Sequence, residues 1–274
     1  MKRFAGWMLS SPATLAVSLF LIIPVAATIS ATFTAPAGPL APYGEFFASG
    51  FQRTVLWRTF EVAAITTVVS LVFGLLTAYV VSRSPPWMKS VLIVLAVFPL
   101  LTGVVVRSFA WLIIFGRNGV FNNTLEWLGL IERPLSLLYT QTSVVIALIY
   151  IFIPLMILVL IGVLENIPED LLQASASLGA SPRATFLQVI LPLATPGLIV
   201  GAVLVFTASF TSYATPHLLG GTRQMMMGTF LHQRAMVTFD WVSASTVAAI
   251  MVVVIVTTVL VMTRLAKRLN PMTS

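Results

Sequence analysis

The sequence has 274 residues and no cysteine, which excludes disulfide bridges, thiolate metal sites and a cysteine nucleophile. Charge is scarce too. Asp, Glu, Lys and Arg together make up 8% of the chain, against about 25% in a soluble domain. So few charges cannot cover a water-facing globule of this length, so most of the surface must face lipid. Acids are rarer than bases, 8 against 15, and the formal net charge is +7. That excess is not a nucleic-acid footprint, because the basic residues sit in short clusters at the ends of apolar runs. No Gly-Lys dipeptide occurs, so the phosphate-binding loop Gly-x-x-x-x-Gly-Lys-Ser/Thr is absent. The zinc motif His-Glu-x-x-His and the nucleophile motif Gly-x-Ser-x-Gly are absent as well. His217 and His232 have no other metal-binding side chain placed beside them in sequence, and read as ordinary loop residues. No catalytic residue, no metal site and no cofactor is therefore expected on this chain.

Apolar residues are plentiful: 58% are hydrophobic and the mean hydropathy is +1.02. A membrane-spanning helix needs about 20 mostly apolar residues. Six runs qualify, at 11–33, 58–82, 90–112, 141–163, 193–215 and 243–265. The expected fold is an all-α integral membrane protein with six transmembrane helices, forming one domain over 1–274. An even number of spans puts both termini on one side. Lys2 and Arg3, the loop holding Arg83 and Lys89, and the tail with Arg264, Lys267 and Arg268 fall on that side, in stretches without an acid. The opposite loops hold Arg53, Arg117, Arg133, Arg223 and Arg234 mixed with Glu45, Glu126, Glu132 and Asp240. The positive-inside rule then places both termini in the cytoplasm. A cleaved signal peptide is the alternative for the first apolar stretch. The stretch is longer than a usual signal core and is interrupted by Pro24.

Pro24, Pro99, Pro154 and Pro196 fall inside expected spans, where each removes a backbone donor. They suit a path that changes shape, or simply the higher frequency of proline in membrane helices. Three outward segments follow from the spans. In 34–57, Pro36, Gly38, Pro39 and Pro42 favour irregular backbone, and Glu45-Phe46-Phe47 could begin a short interfacial helix. The segment 116–140 holds Gly116, Gly119, Asn122 and Asn123, then the apolar Leu125, Trp127, Leu128 and Leu130. The segment 216–242 holds Gly220-Gly221 and Met225-Met226-Met227. The methionines suit adaptable packing against a partner better than a soft-metal path. Glu61 and Arg107 are ionisable at membrane depth, which makes them functional candidates unless they snorkel to the outer interface.

The segment 166–190 reads as two short helices on the cytoplasmic side. Pro168 suits a first turn, and Glu169 and Asp170 suit the positive end of the helix dipole. Leu171, Ala174, Ser175 and Leu178 share one face. Gly179 suits a left-handed C-terminal residue, Ser181 an N-cap and Pro182 the next first turn. Phe186, Val189, Ile190 and Leu193 share a face of the second helix. The apolar stripe either packs on this chain's own helix ends or fits a groove on another protein.

Gln173-Ala174-Ser175, three residues, Gly179, nine residues, Val189, one residue and Leu191-Pro192 resemble the EAA loop, at about 164–192, of ABC importer permeases. Gln173, Ser175 and Val189 stand where that pattern has Glu, Ala and Ile. Val106-Arg107-Ser108-Phe109-Ala110-Trp111, Gly119-Val120-Phe121-Asn122 with Leu128-Gly129-Leu130, and Thr215 to Gly221 are similar to stretches of the spermidine/putrescine-type permeases. The resemblance implies a MetI-like fold of the type I importers. It implies that Glu169, Asp170, Gln173, Ala174, Ser175, Leu178, Gly179, Leu191 and Pro192 couple the permease to an ATPase. It further implies a second related permease chain, two ATPase subunits that carry ATP and magnesium, and a solute-binding protein on the outer face. Phe206, Ser209, Phe210 and Tyr213 share a face of the fifth span, which lines the path in that family; a packing seam is the alternative. Other small solutes, opine-like or amino-acid-like, stay open beside polyamines. So does an anchor for an unrelated cytoplasmic protein.

Overall fold

A computed structural model describes residues 2–34 and 38–269. Pro36 lies outside the described residues, as do the side chains of Lys2, Arg3, Lys267 and Arg268. The described residues form helices and no strand. In chain order these are α1 (Lys2–Thr32), α2 (Ala41–Ala48), α3 (Gly50–Ser82), α4 (Pro86–Leu101), α5 (Val104–Phe115), α6 (Val120–Trp127) and α7 (Gln141–Glu165). There follow α8 (Glu169–Ser177), α9 (Pro182–Thr185), α10 (Leu191–Phe210), α11 (Ala214–Gly220), α12 (Met227–His232) and α13 (Trp241–Leu269). Among the described residues six stretches are long and apolar enough to cross a membrane: Thr14–Thr32, Gly50–Ser82, Val104–Trp127, Gln141–Glu165, Pro182–Phe210 and Trp241–Arg264. Two compact units are distinguished. One combines the chain up to Thr54 with Phe230–Val254, and the other combines Val55–Thr229 with the chain from Ile255.

The larger unit is built around α7. Leu148, Met156, Leu160 and Leu164 of this helix are fully buried. Met156 sits between α3 and α10 because each offers it a glycine. A Cβ on Gly74 would lie 2.4 Å from Met156 Cγ and 2.8 Å from its Cβ, and one on Gly201 would lie 2.4 Å from its Sδ. Small residues let membrane helices approach closely. The two notches differ in what they meet. The root of Met156 cannot move without the α7 backbone, whereas its thioether end can change rotamer. Gly74→Ala should therefore cost about 1–3 kcal/mol, and Gly201→Ala distinctly less. Thermal unfolding of the purified variants checks this, and equal losses would refute the difference.

The expected third span, 90–112, is not one helix. The chain is extended at Thr102 and Gly103, which separates α4 from α5. Pro99 lies in the last turn of α4. Arg107 is only 8% exposed and does not snorkel. Its Nη1 donates to the Pro99 carbonyl at 2.7 Å and the Thr102 carbonyl at 3.4 Å. The guanidinium thus satisfies acceptors that the broken helix leaves open. Glu61, by contrast, is exposed on α3.

Met225, Met226 and Met227 are buried in their own unit rather than held for a partner. Met226 packs with Val62, Val144, Ala147, Leu148 and Leu219. The Met227 N–H donates to Thr59 Oγ1 at 2.8 Å, and Arg58 donates to the carbonyls of Arg223 and Met225. The run is an anchored turn.

In the smaller unit a short helix, α2, does form, but it starts at Ala41 and Glu45-Phe46-Phe47 fall near its end rather than its start, with Phe46 buried. Asp240 caps the start of α13. Its Oδ1 accepts from the Ser243 N–H at 3.0 Å, and its Oδ2 lies 3.5 Å from Arg234. Burial pushes its pKa up, but the Ser243 hydrogen bonds and the Arg234 charge outweigh this and hold the carboxyl below its usual range. Asp240 is engaged within the chain rather than held open for a cation.

Candidate coupling site

At one end of the larger unit, α3 finishes, α4 begins and α7 runs into α8. Lys89 on α4 meets Glu165 on α7 at 3.0 Å, a half-exposed pair that fixes the level of both ends more than it stabilises them. Ile167 is buried beside Leu164 and continues the core past the end of α7. Pro168 stands at the N-cap of α8, with Glu169 and Asp170 in the first turn. Three hydrogen bonds close α8: Leu178 N–H to Ala174 O, Gly179 N–H to Ala176 O and Ala180 N–H to Ser175 O, at 2.9 to 3.1 Å. Gly179 adopts φ +79°, the left-handed conformation that glycine enters without steric cost. Ser181 then caps the next turn by accepting from the Ala184 N–H at 3.3 Å, and Pro182 follows it.

One contact pins the elbow shut. Ser175 Oγ lies 2.8 Å from Thr185 Oγ1, which ties α8 to α9. Ser175 departs from the family pattern, and helical spacing puts it on an apolar face. Its hydroxyl partner ten residues on had no sequence signal. The second segment also differs from expectation. It is not a separate helix, because Pro182–Phe210 runs as one rod from the elbow into the span. Phe186–Ile190 forms a π turn in which the Leu191 N–H reaches back to Phe186 O. The wider turn makes room at Pro192, whose ring would otherwise press on the Gln188 carbonyl. It also rotates the expected face. Ile190 is buried and Phe186 packs edge-on against Tyr79 at 5.2 Å, but Leu193 turns outward.

The apolar stripe on α8 divides. Leu172, one position off the predicted stripe, packs on the core. Leu171 is 43% exposed and Leu178 88% exposed, and Gln173, Ala174 and Gly179 are also exposed. None of the described residues covers that face. An 88% exposed leucine at the tip of a pinned elbow is apolar surface available to another molecule.

Phe206, Ser209 and Phe210 lie in the packed interior, not on an open wall. The Phe206 and Phe210 rings stack at 5.7 Å, and Phe60 of α3 meets Phe206 edge-on. Tyr213 stands half-buried with its ring stacked on His217 at 5.3 Å. The hydroxyls of Ser209, and of Thr66 and Ser70 on α3, are buried with no hydrogen-bond partner among the described residues.

A family model described as "Binding-protein-dependent transport system inner membrane component" matches residues 70–272. The spermidine/putrescine transport system permease proteins PotB of Haemophilus influenzae and Escherichia coli K12 are each 30% identical to this chain over 216 residues. That alignment covers 79% of this chain and 76% and 78% of theirs. A chain of a bacterial ABC transporter involved in the import of the acidic polysaccharide alginate shares the fold, with a TM-score of 0.79 at 15% identity over 97% of this chain and 96% of that one. With six spans, a glycine-turned elbow and this match over most of its length, the chain belongs to the inner-membrane permease components of binding-protein-dependent transport systems.

Proposed function

We propose that this chain is one permease half of an ATP-driven importer for polyamine-class solutes, and that α8 is its contact with the ATPase. The spermidine/putrescine permeases at 30% identity support the substrate class. The exposed Leu171, Ala174 and Leu178 face on the pinned elbow carries the coupling role. ATP hydrolysis belongs to two separate subunits, since this sequence has no phosphate-binding loop. A second, related permease chain completes the path, and a solute-binding protein meets the outward segments 34–57, 116–140 and 216–242. Both termini lie in the cytoplasm, as the even number of spans and the basic clusters suggest.

Closure of the ATPases would move α8. The Ser175–Thr185 contact and the continuous rod Pro182–Phe210 would carry that movement to the fifth span. The unpartnered hydroxyls of Thr66, Ser70 and Ser209 support opening along that seam. A buried hydroxyl without a partner costs about 1–3 kcal/mol, which hydration of an opened path would recover. With few acids of its own near the membrane, this chain leaves most solute selection to the binding protein.

Leu178→Asp tests the docking role without disturbing the core, because the side chain is already exposed. A carboxylate pressed into an apolar cleft should lower ATPase co-purification and solute uptake by about tenfold or more, with membrane insertion unchanged. Wild-type uptake by this variant would mean that the face points elsewhere. Ligand binding to the partner solute-binding protein tests the substrate class. Strong binding of an opine or amino acid, with none of spermidine or putrescine, would overturn it.

A further inference from the structure

We infer that the groove between the end of α3 and the start of the Pro182–Phe210 rod holds an anionic phospholipid. The groove, about 380 Å³, is lined by Leu76, Tyr79, Pro182, Arg183, Phe186 and Leu187. Apart from the Tyr79 hydroxyl and the Arg183 guanidinium, its side chains are hydrocarbon. It lies near the ends of two candidate spans, because Gly50–Ser82 ends three residues after Tyr79 and the rod starts at Pro182. The depth is marked independently by aromatic residues. Tyr79 places an amphipathic ring there, and Trp87 is exposed just beyond the turn. Tyr and Trp gather at the headgroup level of a bilayer.

Charge decides the occupant. Arg183 stands at the rim, and Arg83 lies in the turn just past the end of α3, four residues after Tyr79. Both are exposed, and neither forms an ion pair among the described residues. The neighbouring base Lys89 is already matched by Glu165. A guanidinium at the rim of a hydrocarbon groove, with a second in the adjoining turn, suits a ligand with an anionic head and an apolar tail. Guanidinium binds phosphate with two parallel hydrogen bonds, and the acyl chain lies along Leu76, Phe186 and Leu187. The site needs only that the two spans reach a bilayer surface. It does not depend on which side is cytoplasmic or on where the ATPase docks.

The experiment uses the whole transporter, with its partner chains, in bilayers of mixed phosphatidylglycerol and phosphatidylcholine. Native mass spectrometry after extraction counts the retained lipids. The double variant Arg83→Gln/Arg183→Gln should lower retained phosphatidylglycerol by about tenfold or more, since each basic residue near the surface contributes about 1 kcal/mol. Phosphatidylcholine should be unaffected, and ATPase co-purification should stay at the wild-type level. A photo-crosslinker at Leu187 should capture lipid. Unchanged phosphatidylglycerol in the double variant would overturn the site. So would crosslinking only to the second permease chain, or loss of the ATPase with lipid retention intact. Failure of the coupling role alone would leave these lipid readouts as expected.

Discussion

Gly119→Ser should destabilise the protein by about 3 kcal/mol, at the upper end for overpacking, although helix-capping preference points the other way. Gly119 is the N-cap of α6. In isolation serine is among the best residues at that position, and Gly is a weaker cap than Ser by a few tenths of a kcal/mol. The surroundings reverse this preference. A Cβ at 119 would stand 2.3 Å from the Ile113 carbonyl oxygen, 2.5 Å from that of Ile114 and 2.9 Å from that of Gly116. All three are backbone atoms of the preceding helix end and turn, so no side chain can swing aside. The turn is held in place by the Gly119 N–H on Gly116 O at 2.9 Å and the Asn123 N–H on Gly119 O at 3.0 Å. Relieving the clash would mean opening the turn that joins α5 to α6. The thermal midpoint of the purified protein should fall by about 6–12 °C, taking about 2–4 °C per kcal/mol for a chain of this size. A midpoint at or above that of the wild type would mean that capping wins and that the turn has slack.

Several features were legible from the sequence because they rest on local chemistry. The position of Gly179 followed from helical spacing and from the freedom of glycine at positive φ, and it lies at φ +79°. The Ser181 cap and Pro182 followed from orphan N–H groups that any helix start must satisfy. Spans were readable because apolar length alone sets them. What the sequence hid depends on contacts distant along the chain. Nothing local at Thr102 and Gly103 says that 90–112 must break there. The break is tolerated because Arg107 reaches back to two carbonyls. The methionine run looked like an interface because methionine suits irregular surfaces, yet Met226 fills a core closed by α3, α7 and α11. The face of Leu193 was misplaced by one π turn, which shifts every later residue around the axis. The Gly119-Val120-Phe121-Asn122 stretch carries only a family resemblance in the sequence, because its physical reasons lie in contacts with Ile113, Ile114, Gly116 and Leu135.

Asn122 supplies the second of those reasons and the other large expected effect. It is fully buried, and its amide joins two parts of the 116–140 segment. Nδ2 shares its hydrogens among the carbonyls of Gly116, Arg117 and Leu135 at 3.0 to 3.2 Å, while Oδ1 accepts from the Leu135 N–H at 2.9 Å. No other side chain of similar size can donate two hydrogens and accept one in that geometry. Asn122→Leu keeps the volume but strands the Leu135 N–H and up to three carbonyls. At about 1–3 kcal/mol for each buried group left without a partner, a loss of about 3 kcal/mol or more is expected. Asn122→Asp should be worse at neutral pH, because a carboxylate would face three carbonyl oxygens and could donate to none of them. Burial favours the protonated acid in the folded state, so this variant should recover stability as pH falls toward the unfolded carboxylate value of about 3.9 and lose it as pH rises above that. Stability of Asn122→Leu should show no such trend. Thermal midpoints of the two variants across this pH range separate hydrogen bonding from shape. If both track the wild type at every pH, the amide is not what holds Leu135 to the 116–119 turn. The same variants carry a functional readout. In the proposed topology this segment faces the solute-binding protein, so freeing it should weaken binding-protein-stimulated ATP hydrolysis while leaving the ATPase bound at the α8 elbow.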